Sequence, residues 1–249
     1  MSAHAGSFTA AVAHAFVASL NDDVTINGDD GRHLARVRRL RSGEVITLAD
    51  GNGNWRGYEI VNVEHTGLTV RAISDEIREP DLAPRISIAP ALIAKNRFDD
   101  MIVAAVELGV DAILPFAAHR SVVEWRGEKA AAANHRLQRL AREAAMQCRR
   151  SHLPRVGGVV DAQRLSAEPG LVIAAADGLG VREFAMQPIP PHEWTVVSGP
   201  EGGLDPIDIA MLEQAGAIPR LRLGPHVLRA ETAPLAAIAA LNTLRDVIG

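Results

Sequence analysis

Hydrophobic positions along the chain change rhythm near Pro80, and the change divides it into two parts. From Val24 to about Ile73 the apolar residues fall in short strand-like groups, Glu44–Ala49, Trp55–Glu64 and Leu68–Ile73. The turns between them are Asp50-Gly51-Asn52-Gly53 and Thr66-Gly67, where asparagine and glycine accept the left-handed backbone that tight hairpins require. A small β domain is predicted. Ser74–Pro84 is acidic, carries two prolines and predicts an exposed linker. Beyond it, Arg85–Ile93, Ala112–Phe116, Leu171–Ala176, Trp194–Ser198 and Arg220–Leu223 predict buried strands, with helix-length segments between most of them. That alternation predicts an α/β fold with a mainly parallel sheet. Within Arg97–Leu108 the residues Phe98, Met101, Ile102, Ala105 and Leu108 recur at helical spacing, and Gly109 supplies the stop. The expected domains are 1–78 and 79–249.

With 47% hydrophobic and 22% charged residues, the composition is that of an ordinary globular protein. Its single cysteine, Cys148, cannot form an internal disulfide, and no Cys or His cluster has zinc-ligand spacing, so no metal is expected. Residues 8–20 are apolar but too short to span a bilayer, and no Lys or Arg precedes them as in a signal peptide. The expectation is a cytoplasmic protein without membrane contact. A net charge of −4 gives no global sign of a nucleic-acid partner, so an RNA site has to be a local patch.

Two such patches stand out. In Arg136–Arg150 the helical arc of Leu137, Leu140, Ala141, Ala144 and Cys148 opposes one holding Arg136, Arg139, Arg142, Arg149 and Arg150. A second group, Arg32, His33, Arg36, Arg38, Arg39 and Arg41, lies in the β domain. Either can be a solvated face, but dense arginine in an acidic chain suits phosphate, which guanidinium grips in bidentate fashion.

Directly after the strand Trp194–Val197 comes Ser198-Gly199-Pro200-Glu201-Gly202-Gly203-Leu204, then Asp205 as a helix cap and Pro206 in the first turn, the helix running to Gly216. Strand, glycine loop and helix form a unit that lets a ligand approach the backbone. The loop lacks both the Lys-Ser/Thr of a P-loop and the Gly-x-Gly-x-x-Gly of a dinucleotide fold. Glu201 would repel a phosphate, so a cofactor with little negative charge fits better than ATP or NAD. Alone, the loop can equally be a tight structural turn. A second one, Leu223-Gly224-Pro225-His226-Val227-Leu228-Arg229-Ala230-Glu231-Thr232-Ala233, follows the next strand and leads into an apolar helix, Ala233–Leu244, that Thr232 can cap. Together the two loops point to a shared ligand crevice.

The two loops taken together closely resemble those of the 16S rRNA uridine-N3 methyltransferases, within the SPOUT (trefoil-knot) methyltransferases. Weaker matches run along the chain: His33 with Val37 and Arg39, Glu107-Leu108-Gly109-Val110, Arg120-Ser121, and Glu143-Ala144 with Gln147, Arg150 and Pro154. The resemblance implies an N-terminal PUA-like β-barrel, a C-terminal α/β domain tied in a trefoil knot, and a homodimer. It also implies S-adenosylmethionine (SAM) as cofactor, held by Ala174–Gly178, Ser198–Gly203 and Leu223–Leu228. The residues carried over are Ala175, Ser198, Gly199, Pro200, Glu201, Gly203, Leu223, Gly224, Val227, Leu228 and Thr232 for SAM. For RNA they are Arg32, Arg36, Arg39, Arg120, Arg142, Arg149 and Arg150. Arg229 is expected to steady the uracil anion, with Glu201 or Glu231 taking the N3 proton.

Two positions depart from the family pattern. Ala104 stands where the family commonly has Lys, a contact that Lys95 or Arg97 would have to supply, and Arg149 replaces a usually small residue. A ribose 2′-O-methyltransferase is the rival within the superfamily, but the Ser-Leu-Asn element typical of its last knot loop is absent here. A non-catalytic RNA-binding assembly factor is the rival outside it. The expected partner is 16S rRNA in the small ribosomal subunit.

Overall fold

Alternating burial builds the first of two compact units, which holds the residues up to Asp81 together with Ala145–Leu153. The structure, a computed structural model, describes residues 11–187 and 192–248. Positions 8–10 of the apolar N-terminal stretch therefore lie outside the described residues. Strands β1 (Ala13–Phe16), β2 (Asp23–Ile26), β3 (Val45–Ala49), β4 (Asn54–Glu64), β5 (Gly67–Ala72) and β6 (Ile77–Arg78) form one sheet in the order β1-β3-β4-β5-β2, with β6 beside β4. Ile46 lies opposite Tyr58, and Ile60 opposite Val70. These side chains, with Leu48, Leu68 and Leu34, fill the core. The Asp50 carboxylate closes the β3–β4 turn by accepting from the Asn52 and Asn54 N–H groups at 2.7 and 3.1 Å, a side chain standing in for a backbone turn.

Two expectations are corrected here. The stretch read as strand and turn after Val24 contains α1 (Gly28–Arg32) and a π-helical turn, His33–Val37, held to the core by Leu34. The stretch read as a linker contributes β6, which pairs with Asn54 and Trp55. In both cases Gly, Asp and Pro hid an ordered segment, because tertiary pairing overrode weak local preference.

His14 on β1 is buried between Thr47 and the Arg150 carbonyl, at 2.8 and 3.0 Å. A carbonyl only accepts, so Nε2 carries the proton and Nδ1 accepts from the threonine hydroxyl. Burial pushes this imidazole down to about 4, opposed by its bond to Arg150 and reinforced by the Arg149 charge. The unfolded chain takes up a proton near pH 6.5 and the folded one only near 4, so stability is complete above pH 6.5 and is lost as pH falls through that window. The loss should reach on the order of 3 kcal/mol. Urea unfolding at pH 7 and pH 5 should show a marked drop for the wild type and a flatter response for His14→Gln; equal slopes would remove His14 from the account.

The second unit, Leu82–Ala144 and Pro154 onward, is built on a parallel sheet in the order β12-β10-β11-β7-β8-β9. Its strands are β7 (Arg85–Pro90), β8 (Ala112–Ile113), β9 (Arg155–Val156), β10 (Leu171–Leu179), β11 (Glu193–Ser198) and β12 (Arg220–Leu221). In β11 all of Trp194–Ser198 is buried, as expected when helices cover both faces of a parallel sheet. The helices are α2 (Lys95–Glu107), α3 (Glu128–Gln147), the short α4 (Ala162–Leu165) and α5 (Val181–Phe184), α6 (Pro206–Leu212), and α7 (Thr232–Ile248). Helix α2 buries Phe98, Met101, Ile102 and Ala105 as its spacing predicts, and Gly109 at φ +89° ends the turn that follows. Leu108 lies past the last helical turn and is partly exposed.

Several predicted bounds shift. Strands β8 and β12 are shorter than expected and β10 is longer. Helix α6 stops at Leu212, passing to a short 3₁₀ turn before Gly216. Helix α7 runs on beyond Leu244, where Arg245, nearly buried, donates to the Pro84 carbonyl at 3.2 Å. Helix α3 ends at Gln147, so Arg149 and Arg150 do not extend its cationic face. Arg149 instead adopts a left-handed backbone, φ +59°.

Candidate active site

At the carboxyl ends of β10, β11 and β12 three chain segments enclose a cleft of about 630 Å³. Ligands of open parallel sheets bind at these ends because side chains and loop amides converge there without a competing helix. The first segment is the end of β10, where Gly178 packs directly against the backbone of Arg220 and Leu221. The second is the loop Ser198–Leu204, and the third is Leu223–Ala230, between β12 and α7.

The glycine loop is held from below and from the side. Asp205 caps α6 by accepting from the Ile207 N–H at 2.9 Å. That bond, with Arg120 adding to it against the effect of burial, holds the Asp205 carboxyl below its ordinary range. Asp208, almost fully buried, accepts from the His119 N–H at 3.0 Å. Arg120 reaches across to the Asp205 carboxylate at 3.1 Å and the Gly202 carbonyl at 3.0 Å. Its guanidinium is therefore a strap on the loop rather than a free phosphate contact. At the cleft wall Ser198 is buried, and its hydroxyl has no hydrogen-bond partner among the described residues.

Of the residues expected at the cofactor, Ala175, Ser198, Gly199, Pro200, Glu201, Gly203, Leu223, Gly224, Val227 and Leu228 all line this cleft. Thr232 does not; it starts α7, its N–H donating to the Arg229 carbonyl at 2.9 Å. Arg229 lines the cleft, is exposed, and makes no side-chain bond to any described residue. Glu201 also lines it, whereas Glu231 is set back and reaches Arg97 at 3.3 Å. Sequence reasoning offered Arg97 only as a replacement cation for Ala104. In the structure it lines the cleft, donating to Glu201 and Glu231 together. It also missed Arg220, which spans Asp177 and Glu213 at 3.3 and 3.6 Å.

The arginines expected at RNA are unequal. Arg36 and Arg39 are exposed and carry no side-chain partner among the described residues, whereas Arg32 is paired with Asp29. Arg142 is half-buried. Arg149 donates to the Ala11 carbonyl at 2.7 Å, and the Arg150 carbonyl is taken by His14. On α3 Arg136 is drawn inward to Asp99 at 3.1 Å and stacks 5.7 Å from the Trp125 ring, while Arg139 pairs with Glu143. Much of the cationic face is thus already neutralised. Among the described residues no group of three or more His, Cys, Asp or Glu is placed to hold a metal. No helix among them is long and apolar enough to cross a membrane.

Residues 80–242 match the RNA methyltransferase domain family, and residues 26–73 match the RNA methyltransferase PUA domain family. The chain is 35% identical to the ribosomal RNA small subunit methyltransferase E of Mycobacterium bovis, covering 88% of this chain and 86% of the relative. It is 29% identical to the protein of that name from Bacillus subtilis, covering 88% and 89% respectively. In three dimensions it resembles a ribosomal RNA small subunit methyltransferase E from Neisseria gonorrhoeae bound to SAM, with a TM-score of 0.83 and 28% identity over 93% of this chain and 97% of that one.

Proposed function

The chain belongs to the ribosomal RNA small subunit methyltransferase E family, and from that membership we propose that it methylates N3 of a uridine in 16S rRNA, using SAM and forming 3-methyluridine. The observation that carries this reading is the convergence on one cleft of both glycine loops and of Arg229, whose side chain makes no bond to any described residue. The cleft suits SAM, since both glycine-rich loops line it and the Ser198 hydroxyl on its wall lacks a partner among the described residues. Ala175, Ser198–Glu201, Gly203, Leu223, Gly224, Val227 and Leu228 would hold it. Bound there, SAM supplies a methyl group already activated by its sulfonium.

The chain's own part is to align the acceptor and free its lone pair. As the N3–carbon bond forms and the carbon–sulfur bond breaks, the N3 proton leaves for Glu201 or Glu231, directly or through one water. Arg229 bears on the negative charge that develops on the uracil carbonyl oxygens. Arg36 and Arg39, exposed on the first unit, are cations suited to RNA phosphates, and the target base has to leave its stack to present N3. The proposal includes the PUA-like RNA-binding role of the first unit, the trefoil knot, a cytoplasmic homodimer and the assembled small subunit as substrate, all supported by the family resemblance.

Small subunits from a strain lacking this activity, incubated with the protein and SAM, should yield 3-methyluridine by nucleoside mass spectrometry. A different methylated nucleoside would reject the target, and no methylation with no SAM binding would favour an RNA-binding assembly factor. Arg120→Ala should weaken SAM affinity about fivefold by calorimetry, a modest effect because the side chain is half exposed and its bonds are screened. An unchanged affinity would mean the loop keeps its shape without the strap.

A further inference from the structure

Arg97, Arg220, Arg222 and Arg229 line the active cleft together with Asp177 and Glu201, and the pairing around Arg97 is selective. Arg97 projects from the first turn of α2, whose neighbouring Phe98 is fully buried and fixes the helix in place. One guanidinium nitrogen of Arg97 donates to Glu201 on the first glycine loop, and another to Glu231 at 3.3 Å, just before α7. Arg229, two residues from Glu231, is left without a carboxylate partner among the described residues. Resting on the function proposed above, we propose that Arg97 is a positioning residue that engages both glutamates at once, holding their carboxylates in place and keeping Arg229 free for the substrate.

The forked, planar guanidinium suits this task because it offers separate donors to two acceptors, which a lysine ammonium on a flexible stem does not. Without Arg97 the two carboxylates would lose the cation they share, and Glu231 would be free to turn to Arg229, two residues along the chain. A salt bridge between Arg229 and its own neighbour would then compete with the uracil anion. The loss would appear in the chemical step rather than in cofactor binding, since Arg97 acts through the pairing of other side chains.

The test uses the full-length protein, small ribosomal subunits and SAM. Arg97→Met should lower kcat by roughly tenfold or more while SAM affinity by calorimetry stays within about threefold, and Arg97→Lys should recover only part of the loss. In a double-mutant cycle Glu231→Gln should cost clearly less in the Arg97→Met background than in the wild type. Turnover of Arg97→Met within about twofold of wild type, additive losses in the cycle, or a parallel collapse of SAM affinity and turnover in both Arg97 variants would each overturn the assignment. If Arg97→Met fails to fold, Arg97→Lys decides: a reduced kcat with intact SAM affinity supports the assignment, and wild-type turnover overturns it. A wild-type protein that binds SAM but makes no 3-methyluridine would remove the functional reading on which the inference rests, a result separable from any effect of the variants.

Discussion

Arg229→Ala should lower methyl transfer by on the order of a hundred- to a thousandfold while leaving SAM affinity within about threefold. The side chain stands exposed on the cleft wall, so its removal leaves no buried partner unsatisfied and the fold should be indifferent. The loss comes from the transition state alone. A uracil losing its N3 proton spreads negative charge onto its carbonyl oxygens, and a preorganised guanidinium stabilises that charge more in a water-poor cleft than in bulk solvent. Single-turnover assays on small subunits at saturating SAM measure the step directly. Wild-type turnover would strip Arg229 of this role, and a parallel fall in SAM affinity would reassign it to the cofactor. Arg229→Lys keeps the charge without the fork and should fall between the two.

Gly199→Ala should weaken SAM binding by on the order of ten- to a hundredfold, the larger of the expected effects on the cofactor. A methyl group there would stand 2.7 Å from the Leu204 nitrogen and 2.9 Å from the Gly203 carbonyl carbon. Both are backbone atoms of the same loop, so no side chain can swing aside and the loop must open. Forcing backbone apart costs about 1–3 kcal/mol, and the altered loop is the one that carries the orphaned Ser198 hydroxyl. Calorimetric titration checks the affinity, and a thermal melt without ligand shows whether the strain is borne by the fold as well. Unaltered binding would mean the loop's close approach to itself is dispensable. Gly203, at φ +72° with open space around it, would be strained by conformation rather than by contact.

Much of this architecture was written in local pattern. The parallel sheet showed itself through apolar runs such as Trp194–Ser198, and α2 through Phe98, Met101, Ile102 and Ala105, because burial on a sheet or helix face imposes a period. The glycine loops were legible because their shape depends on residues adjacent in sequence. What escaped depends on pairs distant in sequence: Arg97 lies 104 residues from Glu201 and 134 from Glu231, and nothing in any of the three segments marks the contact. Arg120 and Arg136 looked like free cations for the same reason, since Asp205 and Asp99 come to them only through the fold. Charge counted along a helix therefore overstated the cationic surface. The α1 segment was hidden by its glycines, one of which, Gly31, sits so close to the Ile26 carbonyl that no side chain fits. No sequence pattern set Ala145–Leu153 apart as belonging to the first unit.

That last feature bears on how the protein is made. The first unit relies on its returning segment for the partner of His14, for the Ser151 hydroxyl that Glu79 accepts at 2.5 Å, and for the Leu153 N–H that meets the Gly51 carbonyl at 2.9 Å. During translation these groups emerge roughly seventy residues after Asp81, a delay of several seconds at ordinary elongation rates. Until then the nascent sheet has open seams, and the first part of the chain to be synthesised is among the later ones to be finished.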